Sequence, residues 1–290
     1  MIMIKVGYLV SYDYSMFLTS VKQLYDHVNK IYVAIDIERK TWSGNLFKIP
    51  ESFFLEVKQI DTKNKIEFYF DNFFLDDLTP MQCETRERNL LLKKMGKGWL
   101  VQLDVDEYIY DFKSVSQYLK NHWYLTIFPK LTPIIFTGKW VTLFRQIPNG
   151  YLYIENNERF PFITNQSNFT LARNNNKVRK HYTNINVIHQ SWARSESEIQ
   201  SKIKNWGHRD DFDTQKFFDF WSNLNYNNFY QYKNFHPLSP NAWNELKFIN
   251  SKSIDNFMDV YSLDNIQKLI PISKLKIFKN FIKIIIKREE

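Results

Sequence analysis

The chain of 290 residues, 44% hydrophobic and 17% aromatic, can bury a large core in one domain or in one domain with a subdomain. Its single cysteine, Cys83, excludes an intrachain disulfide, and no stretch approaches the roughly 18 consecutive apolar residues of a membrane span. The net charge of +8 is uneven: Lys274, Lys276, Lys279, Lys283, Lys287 and Arg288 face only Glu289 and Glu290, so half the excess sits in the tail, where it suits phosphorylated ligands, anionic lipid or nucleic acid.

The opening MIMIKVGYLVSYD alternates toward polar residues and lacks a small-residue cleavage site, so a reducing cytosol is the expected compartment. Residues 5–10 form an apolar run suited to a buried strand. Ser15 is placed to cap a helix with Leu18, Val21, Tyr25 and Val28 at helical spacing, and residues 30–35 read as a second buried strand ending on Asp36. Strand, helix and strand in so short a span predict a right-handed parallel crossover, and ligands meet such sheets beyond the carboxyl ends of the strands. Val10, Ser11, Tyr12, Asp13 and Asp36 occupy that position.

A third strand is expected around residues 54–60. A helix then opens on Thr79 as N-cap, with Pro80 at its first position and Gln82 closing a capping box, and stops near Met95 at Gly96 and Gly98. At about 3.6 residues per turn, Met81, Thr85, Arg88, Leu92 and Met95 share the core face. An inward guanidinium keeps its charge, so Arg88 needs either an acid, for which Asp104 is available, or a ligand phosphate. Residues 99–103 then form an almost wholly apolar strand that delivers Asp104, Asp106 and Glu107. Side chains two apart on an extended segment point the same way, so Asp104 and Asp106 converge. Clustered carboxylates repel unless a cation joins them, and Mg²⁺ or Mn²⁺ prefers such hard oxygen ligands.

The stretch Arg88, Asn89, then Gly96 to Gly98, then Leu103, Asp104, Val105, Asp106, Glu107 resembles the family-2-like glycosyltransferases of the GT-A fold, of the bacterial surface-polysaccharide type. The resemblance covers about the first 110 residues. It implies an α/β fold in which a Rossmann-like mixed sheet is flanked by helices, with a C-terminal helical extension. Residues 1–110 would be the nucleotide-sugar-binding half of the domain, 111–213 its acceptor-side half and 214–290 the extension. It further implies a nucleotide-sugar donor, with Val10, Ser11, Tyr12 and Asp36 around base and ribose and Arg88 and Asp104 also toward the donor. Asp104 and Asp106 would ligate Mn²⁺ or Mg²⁺, and the acceptor would be a glycan or a lipid-linked saccharide. Asp36 is followed by Ile37 and Glu38 rather than by the second acid frequent in that family, which leaves the base open.

Farther along, residues 184–188 read as a strand followed by His189, and Ser195 with Glu198 forms a second capping box before a helix reaching Trp206 and Gly207. The family resemblance makes His189 a further metal ligand; the residues alone equally allow a hydrogen-bonded structural histidine, and His181 and His208 are weaker candidates. If transfer inverts the sugar, the acceptor hydroxyl loses its proton to a carboxylate, for which Glu155 and Glu158 lie in the interval the resemblance implies, with Asp210 and Asp211 as alternatives; a retaining enzyme needs no such base. The aromatic segment 217–243 is expected mainly to pack a core. Residues 272–286 form a basic amphipathic helix that either packs on the domain or rests on an anionic membrane face from the cytosolic side. A metal-dependent nucleotidyltransferase would share the acids, but residues 10–15 contain none of the glycines its phosphate loop needs. A nucleic-acid-binding protein would share the charge, yet the cations and aromatics form no recognisable module, so no nucleic-acid partner is expected.

Overall fold

The computed structural model describes residues 3–205 and 212–289. Strands β1 (Ile4–Leu9) and β2 (Lys30–Asp36) are buried along nearly their whole length and pair in parallel, connected through α1 (Phe17–Lys22). Ser15 does not cap that helix: it lies in a 3₁₀ turn, and α1 begins after Met16 without a side-chain cap. The expected strand at 54–60 is instead part of α2 (Glu51–Ile60). Its aromatic and β-branched residues mimic strand composition, but Phe53 and Val57 are one turn apart and both buried, and Pro50 sets the entry into the first turn. The third strand, β3 (Ile66–Asp71), follows and pairs parallel with β2.

Helix α3 (Pro80–Met95) carries the reciprocal Thr79–Gln82 capping box and ends at Gly96, whose φ of 72° favours a residue without Cβ. Its buried stripe runs Cys83, Glu87/Arg88, Leu91/Leu92, Met95; Met81 is exposed, so the inward face is turned from the one expected while still containing Arg88. β4 (Trp99–Asp104) pairs parallel with β1, and β5 (Glu107–Tyr108), α4 (Phe112–Asn121), β6 (Ile134–Ile147), β7 (Gly150–Thr164) and β8 (Arg179–His189) follow. The expected strand at 184–188 is the end of β8. Helices α5 (Glu196–Asn205) and α6 (Thr214–Asn223), strand β9 (Lys247–Asn250), and helices α7 (Ile254–Asp264) and α8 (Lys274–Glu289) complete the order. The Ser195–Glu198 box is present at α5. Trp206, Gly207, His208, Asp210 and Asp211 lie outside the described residues.

The strands form one mixed sheet in the order β3-β2-β1-β4-β7-β6-β8-β5, with β9 on β7. The β3-β2-β1-β4 half is parallel and flanked by helices, a Rossmann-like nucleotide-binding type of α/β fold. The sheet continues past residue 110 through β4 and β7, and the last third contributes β9 as well as helices. Within the aromatic segment Phe217, Trp221 and Trp243 pack with Phe144 and Trp192 as a second core, whereas Tyr226 and Tyr230 are exposed.

Asp36, at the end of β2, is buried, and its carboxylate organises two loops. One oxygen accepts the backbone N–H groups of Glu38 and Lys40 (both 3.0 Å), the other those of Phe73 and Phe74 (2.9 and 3.1 Å). Both oxygens are thereby used by the protein, although Asp36 lies on the wall of the cleft described below. Asp36→Ala should lower the unfolding free energy by roughly 2–4 kcal/mol, since four amides lose a charged acceptor. Urea titration measures this; an unchanged midpoint with weakened nucleotide binding would return Asp36 to the role of a base or ribose ligand.

Candidate functional site

At the carboxyl ends of β1 and β4 a cleft of about 550 Å³ opens, closed on its other side by the end of β8 and by α5. Val10, Ser11, Tyr12, Asp36, Arg88, Asp104, Asp106, Glu158 and His189 all line it; Glu155 does not. Glu155 projects elsewhere from β7, bound by Lys247 (2.5 Å) and by the hydroxyl of Tyr261 (2.8 Å).

The three acids after β4 have separate fates. Glu107 is fully buried, holds Arg173 through two hydrogen bonds (2.6 and 2.8 Å), and accepts the Trp140 indole N–H and the backbone N–H of Asp104 (both 3.0 Å). Asp104 faces Arg88 at 2.9 Å and Arg173 at 3.6 Å. Burial opposes its charge, but the two guanidinium groups hold its carboxyl below the usual range. Asp106 receives Arg194 at 2.6 Å and stands 3.5 Å from His189 Nε2. Burial again opposes ionisation, and His189 and Arg194 together override it, keeping Asp106 well below an ordinary aspartate.

Arg88 is 1% exposed. It donates through Nε to Glu84 (2.9 Å) and through Nη2 to Asp104, while its buried Nη1 has no partner among the described residues. The ion pair with Asp104 is therefore formed, and one donor of the same group remains unspent. Asn89, the next residue, clamps the loop that brings Arg173 in: its amide exchanges hydrogen bonds with the backbone of Phe169 (2.6 and 3.1 Å), and Thr85 receives Ala172 N–H at 2.8 Å.

Two walls of different character result. On one, the Trp42 indole donates to Glu87 at 2.6 Å, and burial raises the Glu87 carboxyl to about 8. On the other, Asp13 is raised to about 6 by burial, against the pull of Arg194, and Lys202, which donates to the Ser191 carbonyl and hydroxyl (both 2.8 Å), is lowered to about 8 by burial and then by Arg194. Between them Trp140 stacks on Phe160 at 4.4 Å and lies 4.9 Å from the His189 ring. Glu158, two residues before Phe160, enters the cleft because β7 is irregular there: Arg159 pairs with Lys139, yet Glu155 already pairs with Val141. Partial desolvation raises the Glu158 carboxyl, and His189 acts in the opposite sense.

Two ligands each roughly 2.0–2.2 Å from one ion stand about 3–3.5 Å apart. Asp106 Oδ2 and His189 Nε2, 3.5 Å apart, meet that spacing with Arg194 on the same Asp106 oxygen at 2.6 Å, and Asp104 is engaged by two arginines. Among the described residues no group of three or more His, Cys, Asp or Glu is arranged to hold a metal. Asp106 and His189 thus offer at most one carboxylate oxygen and one imidazole nitrogen, and an ion held there would take its remaining ligands from phosphate and water.

Sequence reasoning did not identify Glu87, Arg173, Arg194 or Lys202 as site residues. Arg194 and Lys202 could have been suspected from their positions beside and one face along the α5 capping box. Arg173 sits in an asparagine-rich loop with no local pattern.

No family model matches the chain, and no curated protein sequence matches it. Solved structures that resemble part of it include TarS residues 1–349 of S. aureus (13% identity, 51% of this chain and 39% of that one, TM-score 0.34). Mannose-6-phosphate isomerase from Helicobacter pylori matches with 17% identity over 57% of this chain and 61% of that one, with TM-score 0.31. CMP:2-keto-3-deoxy-manno-octonic acid synthetase, solved with CTP, matches with 11% identity over 57% of this chain and 71% of that one, with TM-score 0.26. The chain thus spans less than two thirds of each of the first two, and none of these similarities is of a degree from which a shared chemistry follows.

Glu87 gives a test of the electrostatics. With its folded pKa about 8 against an ordinary 4.5, the folded state keeps a proton that the unfolded chain releases, so this group costs stability progressively as pH rises through that interval and adds no cost below it. Glu87→Gln should therefore match wild type near pH 4 and exceed it increasingly toward pH 8, by roughly 2–4 °C in Tm per kcal/mol relieved. A pH-independent difference in calorimetry would show Glu87 to be an ordinary ionised carboxylate.

Proposed function

We propose that the chain is a GT-A-type glycosyltransferase, moving a sugar from a nucleoside-diphosphate sugar to a saccharide acceptor with Mn²⁺ or Mg²⁺ bound alongside the donor. The observation that carries this reading is the meeting of Asp106, from the turn after β4, and His189, from the end of β8, beside Arg194 and Lys202 in a cleft at the carboxyl ends of the parallel strands β1 and β4. A departing nucleoside diphosphate needs cationic surroundings, and this corner supplies cations next to a pair of metal-type ligands.

On this reading Trp42, Val10 and Ser11 enclose the base and ribose, and the spare Nη1 of Arg88 donates to the donor. Arg194 and Lys202 receive the diphosphate; Arg194 shares an Asp106 oxygen and would exchange it for a phosphate. The ion, when bound, supplies Lewis-acid neutralisation of the leaving group. Trp140 and Glu158 border the space left for sugar and acceptor, and Glu158 removes the proton from the acceptor hydroxyl.

Incubation with a panel of nucleotide-sugars should release nucleoside diphosphate; release of pyrophosphate would instead mark a nucleotidyltransferase. In calorimetry, Asp106→Ala should lose divalent-dependent donor binding without loss of fold, and unchanged affinity would remove the metal assignment. Glu158→Gln should reduce kcat by about 10²–10⁴ with donor affinity retained. Glu155→Gln should leave turnover within about twofold of wild type, the size of effect expected where no transition-state contact is lost; the reverse pattern would exchange the two residues' roles.

A further inference from the structure

Helix α8 is apolar on two opposite sides. Ile277, Phe281 and Ile284 are partly buried, and Ile277 packs against the main core. Leu275, Phe278, Ile282 and Ile286, at spacings of three and four, form a second stripe on the opposite side, and all four are exposed, Phe278 by 61%. Lys276, Lys279 and Lys283 run along one flank of that stripe and are exposed too. A second segment extends the surface. Residues 123–132 meet α8 across an apolar groove lined by Tyr124, Thr132, Ile277, Phe278 and Phe281, and they present Trp123, Ile127 and Phe128 to solvent, Phe128 by 64%. That segment is fixed by Asn165, which donates to the carbonyls of Leu125 (2.6 Å) and Thr132 (2.8 Å).

A soluble surface has no use for so many large apolar groups in one place, and their lysine border narrows what covers them. A second copy laid antiparallel on α8 would set lysine row against lysine row. An anionic bilayer surface accepts both parts: the aromatics and isoleucines enter the headgroup boundary while the lysines meet lipid phosphates. Among the described residues no helix is long and apolar enough to cross a membrane. We propose that α8 and residues 123–132 together form a peripheral docking face for anionic lipid. Thr132, which lines the groove, lies two residues before β6, whose first residue Ile134 pairs with Arg179 at the amino end of β8, whereas His189 at the carboxyl end of β8 lines the cleft. The inference is independent of what the cleft does.

Co-sedimentation of the full chain with phosphatidylcholine vesicles, with and without phosphatidylglycerol, tests it. Binding is expected with phosphatidylglycerol, declining as salt rises. Joint replacement Lys276→Gln, Lys279→Gln and Lys283→Gln should weaken it on the order of a hundredfold, and Phe278→Ser with Phe128→Ser by about tenfold or more. Brominated acyl chains should quench tryptophan emission, and Trp123→Phe should diminish that quenching. Circular dichroism and thermal midpoints of all variants should match wild type, because the altered side chains are exposed. Absence of sedimentation with phosphatidylglycerol, or binding indifferent to every variant, overturns the proposal. So does concentration-dependent dimerisation in light scattering that Phe278→Ser abolishes while vesicles remain unbound.

Discussion

The buried charge of Glu107 is the constraint on which the cleft depends. A carboxylate with no solvent contact is untenable unless paired and fully hydrogen-bonded, and Arg173 meets it from a loop 66 residues away. To bring that guanidinium in, the loop must be held, which is what Asn89 and Thr85 do from the partly buried flank of α3. The same Glu107 oxygen that takes Arg173 also accepts the Asp104 amide, closing the turn after β4. That turn decides where Asp104 and Asp106 stand. Removing one partner of such a pair typically costs about 3–5 kcal/mol, so the arrangement is rigid as well as specific.

The expectation that clustered carboxylates need a cation is met here by guanidinium groups, and in a graded way. Glu107 is satisfied completely. Asp104 is satisfied by two arginines but still borders the cleft. Asp106, with one arginine and a histidine, retains the most capacity for a further partner. Partners rather than depth distinguish the acids, since the Asp106 side chain is less exposed than that of Asp104 (7% against 31%).

What was legible in the sequence is what is encoded locally. The two strands, their crossover, both capping boxes and the inward Arg88 each follow from spacing within a turn or a strand. The helix at 51–60 was misread because its composition suits a strand and its periodicity is short. Arg173 and Arg194 escaped because their partners lie 66 and 88 residues away, and for Arg173 no local pattern marks the loop that carries it. Asn89 was visible beside Arg88, but its work, clamping a loop eighty residues later, is a property of the assembled sheet. Glu158 and Glu155 look alike in the chain, and only the irregular pairing of β7 separates a cleft residue from one tied to Lys247 and Tyr261.

The uneven charge of the sequence has a counterpart in space. In the cleft, acids and cations neutralise each other at close range, so its field is short and favours a ligand that can exchange with particular groups. On α8, Lys274, Lys276, Lys279 and Lys283 form no salt bridge among the described residues. Such unpaired charge acts out to about a Debye length, roughly 8 Å at physiological salt, which suits attraction to a broad anionic surface. Because the two regions lie toward opposite ends of β8, a chain docked through α8 would open its cleft away from the lipid.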